Sequence, residues 1–279
     1  MSTGVMLLVL LAALLHASWN ALVKSSPDTW LDIVFVTGSA GALCALTLPF
    51  LPLPAAASWP YIAASAAIHV VYFLLIGAAY RSGDMSHAYP LMRGAPPLIV
   101  ALASGPLIGE RLTTGEWGGI LLICGGILGL LLVHSASGNT ARTTRLALCN
   151  ALIIATYTLV DGTGVRLAAH PAAYTMWMFA LAAPPVLAYV FICRRAAALR
   201  HLRARWHLTL TGGACTVVSY ALVLWAMTQA PIAMVAALRE TAILFGTAIS
   251  MLILKERHGI ARPLAALVIL LGVVTLKLT

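Results

Sequence analysis

A chain of 279 residues in which 61% of the residues are hydrophobic and only 9% are charged is not an ordinary soluble domain, because soluble domains carry about 25% charged residues. The net charge of +9 does not indicate a nucleic-acid partner, since the Lys and Arg residues lie in short segments between apolar runs, where they act as topology signals. The five cysteines lack metal-ligand spacing and predict neither a zinc site nor a disulfide framework. The composition indicates an integral membrane protein whose surroundings are the lipid bilayer.

Apolar runs separated by Pro, Gly or charged residues predict ten transmembrane helices, each close to the ~20 residues that cross a bilayer. The predicted spans, in chain order, are 4–24, 31–51, 60–80, 86–108, 116–134, 146–166, 173–193, 207–228, 231–254 and 261–278. The first span has no basic start and no small-residue cleavage motif, so it is predicted to be a span rather than a removable signal peptide. The predicted fold class is all-α, a polytopic membrane protein with short loops.

Several residues recur after a shift of 146 positions, which indicates an internal repeat. The recurring residues are Arg93 with Arg239, Glu110-Arg111 with Glu256-Arg257, and Gly126 with Gly272. The pattern predicts two five-helix repeats, residues 1–135 and 146–279, joined by a polar loop over 136–145. Because five is an odd number, the second repeat must enter the bilayer upside down, as in the inverted repeats of secondary transporters.

The distribution of basic residues predicts the orientation. Twelve Lys and Arg residues lie in the loops after odd-numbered helices, whereas three lie on the other side. The positive-inside rule places the odd-numbered loops in the cytoplasm and both termini outside, in a cell inner membrane. Five of the twelve lie in one predicted loop, 194–206, so the predicted orientation depends strongly on that loop.

Three segments carry a resemblance to a known family: AALLHASWNALVK (12–24), GDMSHAYPLMRGAPPLIVALASGPLIGERLT (83–113) and APIAMVAALRETAILFGTAISMLILKERHG (230–259). With the ten spans and the repeat, the chain resembles the EamA-like proteins of the drug/metabolite transporter superfamily over nearly its whole length. The resemblance implies a basket of helices around a central cavity lined by helices 1, 3, 4, 6, 8 and 9, with helices 5 and 10 peripheral. It implies no particular substrate, although HASWN is also similar to a subgroup linked to phosphonate utilisation.

Arg93 and Arg239 are predicted seven to eight residues inside their spans, roughly 10–12 Å from the helix starts. A charge at that depth costs ~2.5 kcal/mol or more unless it faces water or a counter-charge. We interpret both arginines as cavity residues that hold a carboxylate or phosphonate by bidentate hydrogen bonds. The alternative is that they snorkel or tie helices together. Glu240 is either a proton-coupling carboxylate or a static partner of Arg93.

Other polar groups inside the spans are weaker candidates for substrate contact. Asp161 is followed by Gly162 and Gly164, which would let helix 6 unwind beside a site, although it could also be a polar helix end. His16 and His69 could contact substrate, relay protons or only pack. The remaining candidates are aromatic or amide side chains that could form cavity walls: Trp19, Asn20, Tyr72, Tyr80, Tyr89, Tyr157, Tyr220 and Trp225.

Proline and glycine patterns predict local packing. Pro90, Pro96 and Pro97 are expected to interrupt and bend helix 4 beside Arg93. The glycine-rich run 118–129 has no GxGxxG or Walker spacing, so it predicts close helix packing rather than a phosphate site. The Glu110-Arg111 pair is interpreted as a structural pair that neutralises a helix end.

The sequence predicts a secondary active transporter or facilitator of a small polar metabolite bearing an acidic group, such as an amino acid or aminophosphonate, working by alternating access. An exporter of amphipathic cations or drugs, held by Glu240 and aromatic rings, is the alternative. An intramembrane enzyme is a distant alternative, since the sequence has no HExxH or GxSxG motif and no metal-ligand or cofactor pattern. We expect no cofactor, with proton coupling left open, and a functional monomer because both halves lie in one chain.

Overall fold

The computed structural model describes residues 1–24, 26, 28–82, 85–132, 140–252 and 261–279, and every regular element in these ranges is helical. The helices are α1 (Thr3–Lys24), α2 (Thr29–Thr47), α3 (Trp59–Ser82), α4 (Met85–Ile108), α5 (Thr114–Gly129), α6 (Thr140–Leu167), α7 (Pro171–Met227), α8 (Ile232–Arg239), α9 (Ala242–Leu252) and α10 (Ala261–Leu278). Short 3₁₀ turns lie at Leu48–Phe50, Ala56–Ser58 and Leu130–Leu132. Within these ranges, seven helical stretches are long and apolar enough to cross a membrane, as a multi-pass membrane protein requires.

α7 contains two predicted spans in one element of 57 residues. Its backbone departs from helical geometry at Arg194, where φ is −140° and ψ is 34°. The predicted loop 194–206 is therefore wrong, because the residues after Arg194 are helical. The predicted connecting loop 136–145 is also too long, since α6 already begins at Thr140.

The two arms of α7, residues 171–193 and 195–227, pack on α2 in opposite directions. The first arm runs antiparallel to α2, as shown by the close pairs Gly41–Ala183, Gly38–Leu187 and Asp28–Arg194. The second arm runs parallel to α2, as shown by the close pairs Asp32–Arg205, Val36–Gly212 and Ser39–Gly213. The chain thus reverses at Arg194, and the two arms lie side by side as separate antiparallel helices.

A buried acid explains why the basic segment after Arg194 folds onto α2. Asp32 is almost fully buried and accepts hydrogen bonds from His201 and from Arg205, whose Nη2 lies 3.0 Å from Oδ2. Arg205 also donates to the Leu22 carbonyl oxygen at the end of α1. Arg205 therefore joins α1 and α2 to α7, in addition to its predicted role as a topology signal.

The ninth predicted span is interrupted in its middle. α8 ends at Arg239 and α9 begins at Ala242, and the backbone between them makes 3₁₀-type hydrogen bonds from Glu240 N to Ala237 O (3.1 Å) and from Thr241 N to Leu238 O (3.0 Å). A 3₁₀ stretch inside a helix is typical of a functional or hinge position. The turn places two neighbouring charged residues, Arg239 and Glu240, at the centre of the bundle.

The two interruptions expected from glycine and proline do not occur. α6 continues through Gly162 and Gly164, because these glycines allow close packing: a Cβ on Gly162 would lie 2.4 Å from Ile232, and one on Gly164 would lie 2.6 Å from the Tyr174 hydroxyl. α4 likewise continues as one helix through its prolines, Pro90, Pro96, Pro97 and Pro106.

The recurring glycines lie where α5 meets α10. A Cβ on Gly272 would lie 2.8 Å from the Gly119 carbonyl oxygen, and one on Gly126 would lie 3.1 Å from the Ala265 carbonyl oxygen. Backbone atoms cannot yield as a flexible side chain can, so position 272 needs glycine, and Gly126 leaves little room for a methyl group. The prediction that the run 118–129 packs closely against another helix is confirmed.

We expect Gly272→Ala to lower the free energy of unfolding by about 1–3 kcal/mol, because the added methyl group overpacks the backbone of α5. The measurement is unfolding of the purified protein in detergent. Gly125→Ala on α5 is the matched control, since a Cβ there meets nothing within 4 Å. Equal losses for both variants would contradict this account of the α5–α10 contact.

Candidate functional site

A cavity of about 600 Å³ lies inside the helical bundle, within the usual size of small-molecule sites. Side chains from α1, α2, α3, α4, α6, α7, α9 and α10 form most of its wall, with Arg239 contributed by α8. Beyond the six predicted helices that the resemblance implies, α2, the first arm of α7 (through Phe179) and α10 also contribute, so the expectation that helix 10 is only peripheral is wrong. The candidate residues that the wall brings together are His16, Trp19, Asn20, His69, Tyr72, Tyr89, Arg93, Tyr157, Tyr220 and Arg239.

Three candidate residues lie elsewhere. Glu240 is 2% exposed and lies behind the arginines, and Asp161 is fully buried behind the aromatic part of the wall. Trp225 is 37% exposed on the outside of the bundle, so the structure does not bring it to the cavity. The side chain of Tyr80 and the Glu256-Arg257 pair lie outside the described residues.

Arg93 is held by several partners. Its Nε lies 3.3 Å from Glu240 Oε2, which is the ion pair across the bundle that the sequence suggested. The guanidinium group also contacts His16 Nε2 and lies 5.8 Å from the centroid of the Tyr89 ring. His16 in turn accepts a hydrogen bond from Trp19 Nε1 at 3.3 Å. Arg93 is thus fixed in place by an acid, an imidazole and an aromatic ring.

Arg239 is much less satisfied. Its Nη2 lies 3.4 Å from the Tyr157 hydroxyl and 3.6 Å from Glu240 Oε1, both longer than the ~2.7–2.9 Å of a good charge-assisted hydrogen bond. Its Nε is buried and has no hydrogen-bond partner among the residues described. A buried donor without an acceptor costs about 1–3 kcal/mol, which an incoming anion would relieve. The two recurring arginines therefore differ: Arg239 has an unpaired hydrogen-bond donor for a ligand, whereas Arg93 is already paired with Glu240.

The charges of this centre sum to plus one, because Arg93 and Arg239 share the single acid Glu240. In a low-dielectric surrounding such a centre favours one negative charge on a ligand over two or none. No cluster of three metal-ligating side chains occurs in the described part of the chain. The chemistry that the arrangement supports is the binding of a small monoanion.

Aromatic rings form the wall next to Arg239. The ring of Tyr157 lies 4.4 Å from that of His69, 5.8 Å from that of Tyr72 and 6.5 Å from that of Tyr220, between centroids. His69 is oriented by the Ser65 carbonyl oxygen, 2.9 Å from its Nδ1. Such a wall can stack on an apolar or cationic part of a ligand whose acidic group is bound by arginine.

One cavity residue was missed in the sequence. Asn150 lines the cavity and is buried, with Nδ2 3.1 Å from Met92 Sδ and an Oδ1 that has no partner among the residues described. The available signal was helical spacing, since Asn150, Ile154 and Tyr157 share one face of α6 with Asp161. Asn150 adds an unpaired polar group that can bind a hydrogen-bond donor of a ligand.

A polar network lies at the end of the bundle where α4 is followed by α5, α6 by α7 and α7 by α8. These connections are the even-numbered loops of the ten predicted spans. Glu110 Oε1 accepts hydrogen bonds from Arg166 Nη2 and from Ile232 N, both at 2.8 Å. Arg166 also donates to the carbonyl oxygens of Met227 (2.8 Å) and Ala230 (3.0 Å). Glu110 is therefore a structural ion-pair residue, but its partner is Arg166 rather than the adjacent Arg111.

The cavity extends toward the opposite end of the bundle. Its wall includes residues near the helix ends that adjoin odd-numbered loops, namely Val23, Thr29, Tyr89 and Arg262. The described part of the cavity thus lies between the central charges and the odd-numbered loops. The Glu110–Arg166 network lies beyond the central charges, on the other side.

Comparison with known proteins gives a family and a fold. The family model described as "EamA-like transporter family" matches residues 3–132 and again residues 144–278. A solved structure described only as "Crystal structure of protein" aligns with 100% of this chain and 98% of its own, with a TM-score of 0.77 and 17% sequence identity, which shows similarity of fold alone. A comparison with curated proteins finds no significant match.

Proposed function

Because the chain belongs to the EamA-like transporter family of the drug/metabolite transporter superfamily, we propose that it is a secondary carrier of a small polar metabolite with an acidic group, such as an amino acid or aminophosphonate. The observation that supports this most is Arg239, a buried guanidinium group on the cavity wall with an unpaired Nε. The net charge of plus one over Arg93, Arg239 and Glu240 favours an anionic group on the ligand. The aromatic wall and Asn150 would hold the rest of the molecule.

The proposed topology has ten spans in two inverted five-helix repeats, residues 1–135 and 146–279. The reversal of α7 at Arg194 supports this, because it makes two spans out of one helical element. The two separate matches to one family model support the duplication. The basic residues favour odd-numbered loops in the cytoplasm and termini outside, in a cell inner membrane. One chain holds both repeats, so we propose a functional monomer without a cofactor.

The proposed mechanism is alternating access around the central charges. The cavity lies toward the odd-numbered loops, whereas the Glu110–Arg166 network ties α4, α6 and the α7–α8 link together at the other end. This arrangement fits a carrier that is closed on the even-numbered side. Opening that side would require the network to break.

We expect Glu110→Gln to increase access of solvent to the cavity from the even-numbered side, because it weakens the hydrogen bond to Arg166. A buried charge-assisted hydrogen bond is worth about 1.5–3 kcal/mol. The value here is smaller because Arg166 is partly exposed. A cysteine placed at Ala230 in a cysteine-free protein should react with an impermeant maleimide about three- to tenfold faster. The matched control is Arg111→Gln, the exposed neighbouring charge. An unchanged rate in Glu110→Gln would contradict the closing role.

The experiment that tests the proposed substrate class is thermal stabilisation of the purified protein by a panel of metabolites. The panel contains acidic amino acids, zwitterionic amino acids, aminophosphonates and amphipathic cations. We expect stabilisation by compounds with a net negative charge, and loss of that stabilisation in Arg239→Ala. Stabilisation by cations alone would overturn the proposal.

The second candidate is an exporter of amphipathic cations, which the cluster of His69, Tyr72, Tyr157 and Tyr220 favours through ring stacking. Against it, the carboxylate of Glu240 is already bound between two arginines. A cation would have to displace a guanidinium group from Glu240, whereas an anion finds an unpaired donor. The geometry therefore supports the anion better.

A further inference from the structure

We propose that Asp161 is the proton-binding site of this carrier, and that one proton moves together with one substrate anion. This inference rests on the proposed function and adds its coupling ion. Asp161 lies in the membrane-spanning helix α6, is fully buried, and has no ion-pair partner among the residues described. A carboxylate in such a place is costly to keep ionised and is a typical functional group of transporters.

The hydrogen bonds of Asp161 suit both of its protonation states. Oδ1 accepts from the Tyr174 hydroxyl at 2.8 Å, and Oδ2 accepts from the Tyr220 hydroxyl. Hydroxyl groups donate to an ionised carboxylate and can rotate to accept from a protonated one. The carboxyl group therefore keeps a tyrosine hydroxyl as its hydrogen-bond partner whether it is ionised or protonated.

Glu240, the other acid at the centre, is unsuited to this role. Its two oxygens lie 3.3 Å from Arg93 Nε and 3.6 Å from Arg239 Nη2, so a proton on Glu240 would leave two buried guanidinium groups without a counter-charge. Asp161 has only neutral donors on its oxygens. Of the two roles that the sequence left open for Glu240, the geometry favours pairing with arginine, and the proposed proton-binding role belongs to Asp161.

Several groups connect Asp161 to the cavity. Tyr220 lines the cavity and donates to Asp161, and His69 of α3, also on the cavity wall, has its ring 6.0 Å from that of Tyr220 between centroids. Tyr157 on α6 contacts the rings of both His69 and Tyr220 and accepts from Arg239. On the far side Tyr174 closes the pocket. A proton can enter through Tyr220 or His69, next to the residue that binds the anion.

The remaining charged groups around Asp161 are accounted for. Arg239 of α8 lies 3.4 Å from the hydroxyl of Tyr157, whose ring is next to those of His69 and Tyr220. Arg166 lies more than a helical turn further along α6 and is bound to Glu110. Neither arginine is therefore an ion-pair partner of Asp161, and His69 is the nearby group that can carry a positive charge.

The balance of charge favours symport over antiport. The charge of plus one over Arg93, Arg239 and Glu240 and the charge of minus one on ionised Asp161 sum to zero, so the core of the empty carrier as a whole is neutral. Adding one anion and one proton keeps it neutral, whereas adding either alone leaves a net charge in a low-dielectric core. Because a charged centre is costly to move through the membrane, the neutral empty and fully loaded forms are the ones that reorient.

The test uses the full-length protein in liposomes with radiolabelled 2-aminoethylphosphonate and L-glutamate as probes. In wild type we expect both counterflow of a probe and its accumulation when the outside is acidic. In Asp161→Asn we expect accumulation driven by the pH gradient to be lost while counterflow remains measurable. Asp161→Asn that still accumulates the probe would overturn the inference and leave the proposed function intact.

Tyr174→Phe tests the proton-binding role of Asp161 even if Asp161→Asn does not fold. Tyr174 is buried away from the cavity and stabilises the ionised carboxylate, so its loss should shift the external pH of half-maximal uptake upward by about one unit or more. Tyr189→Phe, a half-exposed tyrosine on the same helix, is the matched control and should not shift it. An unshifted profile, or wild-type counterflow without response to a pH gradient, overturns the inference. Absence of counterflow in wild type overturns the proposed function as well.

Discussion

Arg239→Ala is expected to weaken binding of the transported anion by about 30-fold or more, because truncating one partner of a buried charge pair costs about 2 kcal/mol or more. Arg239 has the unpaired Nε and only long contacts to Tyr157 and Glu240, so a bound anion supplies its best partner. Dissociation constants from ligand-induced thermal shifts measure the effect. Arg239→Lys, which keeps the charge but loses the planar pair of donors, should lie between wild type and alanine.

The control for this prediction is Arg145→Ala, an exposed arginine on α6 that should leave affinity unchanged. Arg93→Ala tests the difference between the two arginines. If binding is lost in Arg93→Ala and kept in Arg239→Ala at equal protein stability, then the assignment of Arg239 as the anion ligand is wrong.

Arg93→Met is expected to lower the free energy of unfolding by about 3–5 kcal/mol, because it leaves Glu240 buried with only the longer contact to Arg239. Arg93→Met/Glu240→Gln together should lose less than the sum of the two single losses, because the direct Arg93–Glu240 interaction is counted once, although Arg239 then has no counter-charge. The measurement is unfolding in detergent, monitored for the single and double variants.

The double variant also shows whether Arg93 and Glu240 act as a pair. A loss that simply adds the two single effects would contradict the ion pair, because residues that interact directly show non-additive free energies. Glu240→Gln alone should also destabilise the protein, since Arg93 and Arg239 would then share no counter-charge.

The membrane-spanning helices and the central arginines could be predicted from the sequence because both follow from the cost of polar groups in hydrocarbon. Long apolar runs locate the helices, and a charge that recurs at equal depth in two runs must face something polar. The structure places Arg93 and Arg239 on the same cavity, as the repeat suggested.

The different pairing of Arg93 and Arg239 could not be predicted from their spacing in the sequence. Arg93 and Arg239 occupy equivalent positions in the repeat, and only the direction of the Glu240 carboxylate shows which one is neutralised. Likewise, the helical segment after Arg194 looks like a basic loop until its partner Asp32, far away in sequence, is brought against Arg205. Both features depend on contacts between distant parts of the chain.

Glycine residues were a poor guide to where a helix is interrupted. Gly162 and Gly164 suggested an unwound helix, but they allow Ile232 and Tyr174 to approach α6. The break that does occur, between α8 and α9, is marked by no glycine or proline, since the residues there are Glu240 and Thr241. A glycine inside an apolar run is compatible with both unwinding and close packing, and only the neighbouring helix decides between them.

The most direct test of the central claim is counterflow in liposomes, comparing 2-aminoethylphosphonate and L-glutamate with an amphipathic cation for wild type and Arg239→Ala. We expect wild type to exchange at least one of the anions and not the cation, and Arg239→Ala to exchange neither anion at low concentration. Exchange of the cation alone, or full anion exchange by Arg239→Ala, would contradict a carrier built around an unpaired arginine.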